Sequence, residues 1–503
     1  MDRRVMHHGG KLIGGMKTLA AMVALALLSG CVTTPVGQYS KQESAQIAQR
    51  LTTDISMLAS EEFGGRRPGT AGEDLTLDYV RKNLESAGYV SGTNDPANPW
   101  RAPVELVSTR PEGGSMEIVQ GRKRIVLPPE QSVVYSARKR TLVEQAPILF
   151  VGFESETLGE DVVRGNVIAM LAEPGVSPQR RSDFFDKGAA AVITLVETED
   201  DVASVKASRN RERLSRPSKD DDFLSAYATY GAFGNAIGTD EWTKLLAQAQ
   251  DDEFSPVTLK AEVTLEALTD RHDVRTANLI GMLPGTKPGK GAVLLLAHWD
   301  HLGDCGPLED ADRLCNGAVD NASGVSLMME LARQLSASGP HDRDIYVLAT
   351  TAEEWGLIGA EAFAESPPIP LETIVAAFNF DTVAIARSGS PVGFVGEGRT
   401  RLDDVVREVM GEAAREFADR ELTEQFIRRQ DAWALLQHDV PAVVLSTAFG
   451  DKAALDSYLI GRYHRAADNP DTLELGGAIE DLKLHQMLVE RIASTTRYPL
   501  PQN

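Results

Sequence analysis

Ala292-Val293-Leu294-Leu295-Leu296-Ala297-His298-Trp299-Asp300-His301 decides the reading of this chain, because an apolar run stops abruptly at a histidine and an aspartate. An unbroken apolar stretch of that length reads as a strand buried on both faces, as in a sheet covered by helices on each side. In such sheets ligands sit just beyond the carboxyl ends of the strands, and His298 stands at one of them.

The pattern repeats downstream. Residues 322–336 have helical spacing, 345–351 read as a strand, 357–365 as a short helix and 374–380 as a strand. A helix over 401–417, a strand over 442–446 and a helix over 478–496 follow. This alternation predicts an α/β fold with a mixed central sheet and helices on both faces. The strand ends and the turns between them carry polar chemistry: Val319-Asp320-Asn321-Ala322-Ser323-Gly324, Thr351-Ala352-Glu353-Glu354-Trp355-Gly356, Asn379-Phe380-Asp381 and Arg462-Tyr463-His464. Each has an ordinary reading taken singly. His298 could be a satisfied polar residue, Asp320 a helix N-terminal cap, and Glu353 with Glu354 a solvated acidic pair. As a set, mixed imidazole and carboxylate groups suit zinc, and two adjacent cations would offset the repulsion among so many carboxylates.

Taken together these motifs resemble the dinuclear-zinc aminopeptidase family that also includes glutamate carboxypeptidases and glutaminyl cyclases. Leu58-Ala59-Ser60 and Gly65-Arg66-Arg67-Pro68-Gly69-Thr70 resemble the N-terminal segment of that family. The resemblance implies peptide substrates with a free N-terminus and two Zn2+ ions. His298 and Asp381 would hold one ion, Glu354 and His464 the other, and Asp320 would bridge both, with a cis peptide bond after it. It implies Glu353 as the general base for the attacking water, Asp300 as the group orienting the His298 imidazole, and Tyr463 as a hydrogen-bond donor to the developing oxyanion. His301 reads as a loop histidine at the surface or as a further support to the site, and His438 as structural. Where many relatives have a Ser-Asp-His run, this chain has Gln430-Asp431-Ala432-Trp433, so side-chain preference does not carry over. Arg428, Arg429 and Trp433 are candidates for shaping the substrate pocket. A carboxypeptidase or a glutaminyl cyclase on the same fold, or a non-catalytic scaffold at the outer membrane, are the alternatives. The complete ligand set speaks against a one-zinc cyclase, and intact Glu353 against a scaffold.

Upstream of the deciding stretch, residues 42–60 have helical spacing through Ile47, Leu51, Ile55 and Leu58, and 73–87 are helical again. Residues 104–134 suggest several short strands. Residues 147–151 and 166–171 read as buried strands, 177–187 as a helix, and 197–222 as a charged surface excursion. The middle of the chain resembles the protease-associated domain often inserted in this family, a smaller, β-rich unit that would restrict substrate size. The expected division is a signal segment at 1–31, a tether at 32–41, catalytic parts at 42–127 and 260–503, and the insert at 128–259.

The chain has 503 residues, 42% hydrophobic and 25% charged, which is an ordinary globular composition long enough for two domains. Its formal net charge of -22 excludes the basic footprint that nucleic acid requires. Arg3, Arg4, Lys11 and Lys17 precede an apolar run over 19–28 that is too short to span a bilayer. That run ends Leu28-Ser29-Gly30-Cys31 and resembles the lipobox of bacterial lipoproteins, which implies lipidation of Cys31. Val32 after the cysteine implies an anchor in the outer membrane facing the periplasm. Met16 is an alternative start. Of the three cysteines, Cys305 and Cys315 then remain, in one polar segment, where an exported chain permits a disulfide; two free thiols are the other reading.

Overall fold

A computed structural model describes residues 37–153, 158–218, 222–251, 254–306 and 310–500. The signal segment, most of the tether and Cys31 lie outside the described residues.

Four strands, Asp344–Thr350, Ala292–His298, Ile374–Asn379 and Ala442–Ser446, lie side by side and parallel. Their side chains alternate between two cores. Val293, Leu295 and Ala297 pack beneath the helices Lys41–Leu58, Ala71–Ser86, Gly324–Ser338 and Gly476–Ile492. Ala292, Leu294 and Leu296 pack on the opposite face against Ile358–Glu365, Asp431–Gln437 and Lys452–Gly461. Burial on both faces is why these strands read as unbroken apolar runs. The expected α/β architecture, a mixed sheet between two helical layers, is the one observed.

The rest of the sheet hangs on one long strand, Val257–Leu283. Its Leu279–Leu283 end pairs antiparallel with Asp344–Thr350, and its first half pairs with Arg140–Gly152. Beyond that strand the sheet continues through Val167–Leu171, Ala191–Val196, Ser225–Thr229 and Ser132–Tyr135. These strands enclose a separate core with Phe150, Ile193, Phe233 and Trp242, into which Met116, Ile118, Val263 and Leu265 from the long strands also pack.

One local expectation is corrected. Residues 104–134 are dominated by one strand, Arg101–Gln120, paired along most of its length with Val257–Leu283. The Gly and Pro residues there are absorbed into an extended ribbon because its partner is equally long. The charged excursion over 197–222 contains regular elements. Thr198 accepts the amide proton of Asp201 and starts the helix Glu199–Arg209, and the short strand Arg213–Ser215 follows.

Candidate metal centre

The parallel strands deliver their chemistry to one edge of the sheet. His298 is the last residue of its strand, Glu353 and Glu354 follow Asp344–Thr350, and Asp381 follows Ile374–Asn379. Asp320 sits in the turn that enters Gly324–Ser338, and His464 follows Lys452–Gly461. The turn before Asp320 depends on Gly317, at φ +58°, where a Cβ would stand 2.0 Å from the Asp320 carbonyl oxygen. The peptide bond between Asp320 and Asn321 is cis.

Each oxygen of Asp320 faces a different imidazole. Oδ1 lies 3.3 Å from Nε2 of His298, and Oδ2 lies 3.4 Å from Nε2 of His464. His298 Nε2 is also 3.7 Å from Asp381 Oδ1, and His464 Nε2 is 2.8 Å from Glu354 Oε2. Candidate ligand atoms of His298, Asp320 and Glu354 all fall within 4.8 Å of one another. The short approach of His464 to Glu354 is not a well-directed hydrogen bond, and its buried Nε2 has no partner of acceptable geometry among the described residues. Donor atoms that crowd together without bonding one another fit a cation held between them. The residues therefore suit zinc as a donor set.

Burial acts on every group in the cluster. It pushes Asp320 up, but the imidazoles of His298 and His464 outweigh it and hold the carboxyl well below the usual carboxylate range. Glu353 goes the other way, raised well above its ordinary value by burial and by nearby Asp431, Glu354 and Asp381 against the pull of His298. Asp300, fully buried, is pushed up to about 8. His464 reaches about 10, because Asp320 and Glu354 overcome the effect of burial.

The neighbours differ in part from what the residue types suggest. Asp300, expected to orient His298, meets Nδ1 first through its main-chain oxygen at 3.1 Å, with Oδ1 at 3.9 Å. Its Oδ1 instead accepts the Glu353 N–H at 3.1 Å, tying the first strand end to the second. His301 is no surface residue: it is fully buried, with Nδ1 2.5 Å from Glu354 Oε1. The loop after His298 folds beneath Glu354 instead of running outward. Cys305 and Cys315 are joined, with Cα atoms 5.8 Å apart. Tyr463 stacks on His464 at 3.7 Å between ring centroids and accepts a hydrogen bond from Arg429 at 3.1 Å. Burial raises its hydroxyl above the ordinary phenol value, so it remains a donor at neutral pH. A small cavity opens over the cluster, lined by Asp320, Glu353, Asp381 and Tyr463 together with the apolar Phe426, Phe449, Leu455 and Leu459. Of the residues expected to shape it, Arg429 and Gln430 line the wall, whereas Arg428 instead packs over the Trp433 ring.

Three supporting residues were given no role of their own in the sequence reading. Asp468, buried, accepts the amide protons of Val319 and Asp320 at 3.0–3.1 Å and the Tyr458 hydroxyl at 3.1 Å. It stands four residues after His464, which was its only signal. Asp431 accepts the Thr350 hydroxyl and is pushed up to about 6 by burial. Arg66, fully buried, donates to the carbonyls of Leu58, Trp299, Asn316 and Gly317 at 2.6–2.9 Å.

A parallel sheet that gathers imidazoles and carboxylates at one edge defines a candidate metal centre. The chain matches Peptidase family M28 over residues 278–484. It is accordingly a hydrolase of the zinc-dependent exopeptidase kind. The chain is 24% identical over 390 residues to a probable lipoprotein aminopeptidase, LpqL, of Mycobacterium tuberculosis, covering 73% of this chain and 68% of that one. Over a shorter stretch of 117 residues it is 32% identical to aminopeptidase YwaD of Bacillus subtilis, covering 23% of each. The aminopeptidase from Aneurinibacillus sp. strain AM-1 shares the fold, with a TM-score of 0.55 at 16% identity, covering 89% of this chain and 95% of that one.

Proposed function

We propose that this chain is an aminopeptidase that removes N-terminal residues from peptides with the help of two zinc ions. The observation that carries this reading is the split of Asp320, one oxygen toward His298 and Asp381, the other toward His464 and Glu354. The bound zinc ions would acidify the attacking water and polarise the scissile carbonyl. Glu353, at the cavity wall with Asp320 and Asp381, is placed to take the water proton and return it to the leaving amine. The Tyr463 hydroxyl donates to the carbonyl oxygen as negative charge builds on it. The carboxylates around the cavity attract the substrate ammonium, and the apolar wall favours an apolar first side chain.

Kinetics on leucyl peptides with free and acetylated N-termini test the reading. The acetylated series is expected to be cleaved at least about a hundredfold more slowly, since it lacks the charge that the carboxylates recognise. Equal rates would remove the aminopeptidase assignment. One observation favours a second reading: Arg429 at the cavity wall could receive a terminal carboxylate, as a carboxypeptidase requires. Preferential cleavage of acetylated peptides with free C-termini would favour it.

The relation to a lipoprotein aminopeptidase and the Leu28-Ser29-Gly30-Cys31 segment support an exported, lipid-anchored enzyme on the periplasmic side of the outer membrane. Among the described residues no helix is long and apolar enough to cross a membrane. Cys31→Ser is expected to move the protein from the membrane pellet to the soluble periplasmic fraction. Unchanged fractionation would count against the lipid anchor. The 128–259 segment is proposed as a protease-associated insert.

A further inference from the structure

Residues 206–216 read Lys206-Ala207-Ser208-Arg209-Asn210-Arg211-Glu212-Arg213-Leu214-Ser215-Arg216, a basic run in a chain of net charge -22. The run lies outside the metal centre, and its place in the fold is specific. Arg216 pairs with Glu365 at 2.5 Å, which ties this part of the chain to the helix Ile358–Glu365 beside the site. Arg211 donates to the Cys305 carbonyl at 2.8 Å, and so reaches the loop that follows His298 and His301.

A cavity of about 570 Å³ is lined by Arg211 and Arg213 of this run together with Arg67, Trp355 and Glu354. Glu354 is also a member of the proposed zinc set, so the cavity adjoins the metal centre on a different side from the apolar pocket around Phe426 and Phe449. The acidic residues of this wall are already engaged. Glu212 pairs with Arg67 at 3.2 Å, and Asp304 pairs with Arg313 at 2.6 Å. Arg211 and Arg213 have no carboxylate partner among the described residues. The Trp355 indole N–H is shielded from solvent and also finds no acceptor among them. Two guanidinium groups without a carboxylate partner, in a cavity that Glu354 also lines, call for a ligand that carries negative charge.

We propose that this cavity binds the leaving portion of the peptide substrate, and that Arg211 and Arg213 select leaving portions that carry carboxylates. The inference rests on the aminopeptidase reading for the position of the scissile bond. The carboxylates come either from Asp and Glu side chains downstream of that bond or from the free C-terminus of a short peptide. The arginines supply the charge preference. The groove thereby gives the middle of the chain a part in choosing substrate.

The test reads binding apart from turnover. In the full-length Glu353→Gln protein, where the peptide survives, fluorescence anisotropy measures Kd for Leu-Gly-Asp-Asp-amide, Leu-Gly-Gly-Gly-amide, Leu-Gly-Gly-Gly with a free carboxylate, and Leu-Gly-Lys-Lys-amide, each labelled on an added C-terminal spacer except the free acid, which competes. The acidic amide or the free acid is expected to bind about fivefold more tightly than the neutral amide, the usual scale for partly exposed charge pairs acting together. The stronger of the two identifies the source of the carboxylate. Adding R211E and R213E should reverse the order so that the lysine peptide binds best. Because the comparison is a ratio within each protein, partial loss of folded material cancels. Should the double variant fail to fold, raising salt from about 0.05 to about 0.5 M must shrink the same ratio in the protein with both arginines. Equal Kd values across the peptides, or a ratio that survives both charge reversal and salt, overturns the proposal. A separate assay of the unmutated enzyme on leucine p-nitroanilide reports on the aminopeptidase reading alone, so the two failures are distinguishable.

Discussion

Glu353→Gln is expected to lower kcat by at least about a hundredfold while leaving the zinc content of the purified protein unchanged. The Glu353 carboxylate lies at the cavity wall, its side chain 12% exposed, with Oε2 3.9 Å from Nε2 of His298. It belongs to neither donor pair around Asp320, so the proposed ligands His298, Asp320, Glu354, Asp381 and His464 are all retained in the variant. Gln has the same shape, and the Glu353 N–H bond to Asp300 is a main-chain contact that the substitution does not touch. Removing one carboxylate from beside Glu354, Asp381 and Asp431 also relieves repulsion rather than creating it. What Gln cannot do is accept a proton from water and pass it to the leaving amine. The loss should therefore appear in kcat with little change in KM, and zinc per chain should match the unmutated enzyme by elemental analysis. Turnover within threefold of normal would take Glu353 out of the mechanism; loss of zinc together with activity would make it a ligand instead.

Part of the proposed site was legible because of how buried parallel strands write themselves. An apolar run that stops at a charged residue marks the edge where ligands bind, and His298, Glu353, Glu354 and Asp381 all follow such runs. The positions of Asp320 and His464 carry no such mark, since one lies in a turn and the other follows a helix, and only the motif order of the family picks them out. The long strand Val257–Leu283 was hidden for a different reason. Its first half alternates, with Leu259, Ala261, Val263, Leu265 and Ala267 buried, and its end is continuously apolar. Between them Asp270-Arg271-His272-Asp273 is polar on both faces, and a break in register falls at Leu268 and Thr269, so no single period runs through it. The apolar wall of Phe426, Phe449, Leu455 and Leu459 is assembled from separate elements, and nothing in their spacing says that they meet. His301 stayed between two readings because a histidine in a polar loop has the same local sequence whether the loop leaves the protein or folds under Glu354.

Arg66 carries the second large effect. Its guanidinium is wholly buried, and burial lowers its pKa to about 10 while Asp320, Asp300, Asp468 and Glu354 sustain the charge. It thus stays a cation at neutral pH beneath a cluster of carboxylates. Its N–H groups hold the carbonyls of Leu58, Trp299, Asn316 and Gly317, and three of these four lie in the loops that present His298 and Asp320. Arg66→Ala would strand four buried acceptors and remove the counter-charge together. At roughly 1–3 kcal/mol for each unsatisfied group, reduced where water enters the space, the expected loss of stability is about 4 kcal/mol. Arg66→Lys restores the charge but not the planar fork, so it is expected to recover less than half of that loss. Both variants should bind zinc more weakly, since the loops carrying His298 and Asp320 lose a common clamp. Urea unfolding followed by tryptophan fluorescence reports the stability, because Trp299 sits against the clamp itself, and zinc titration reports the loops. A Lys variant as stable as the unmutated protein would reduce Arg66 to a point charge; an Ala variant with unchanged stability and zinc affinity would show that the loops hold their shape without it.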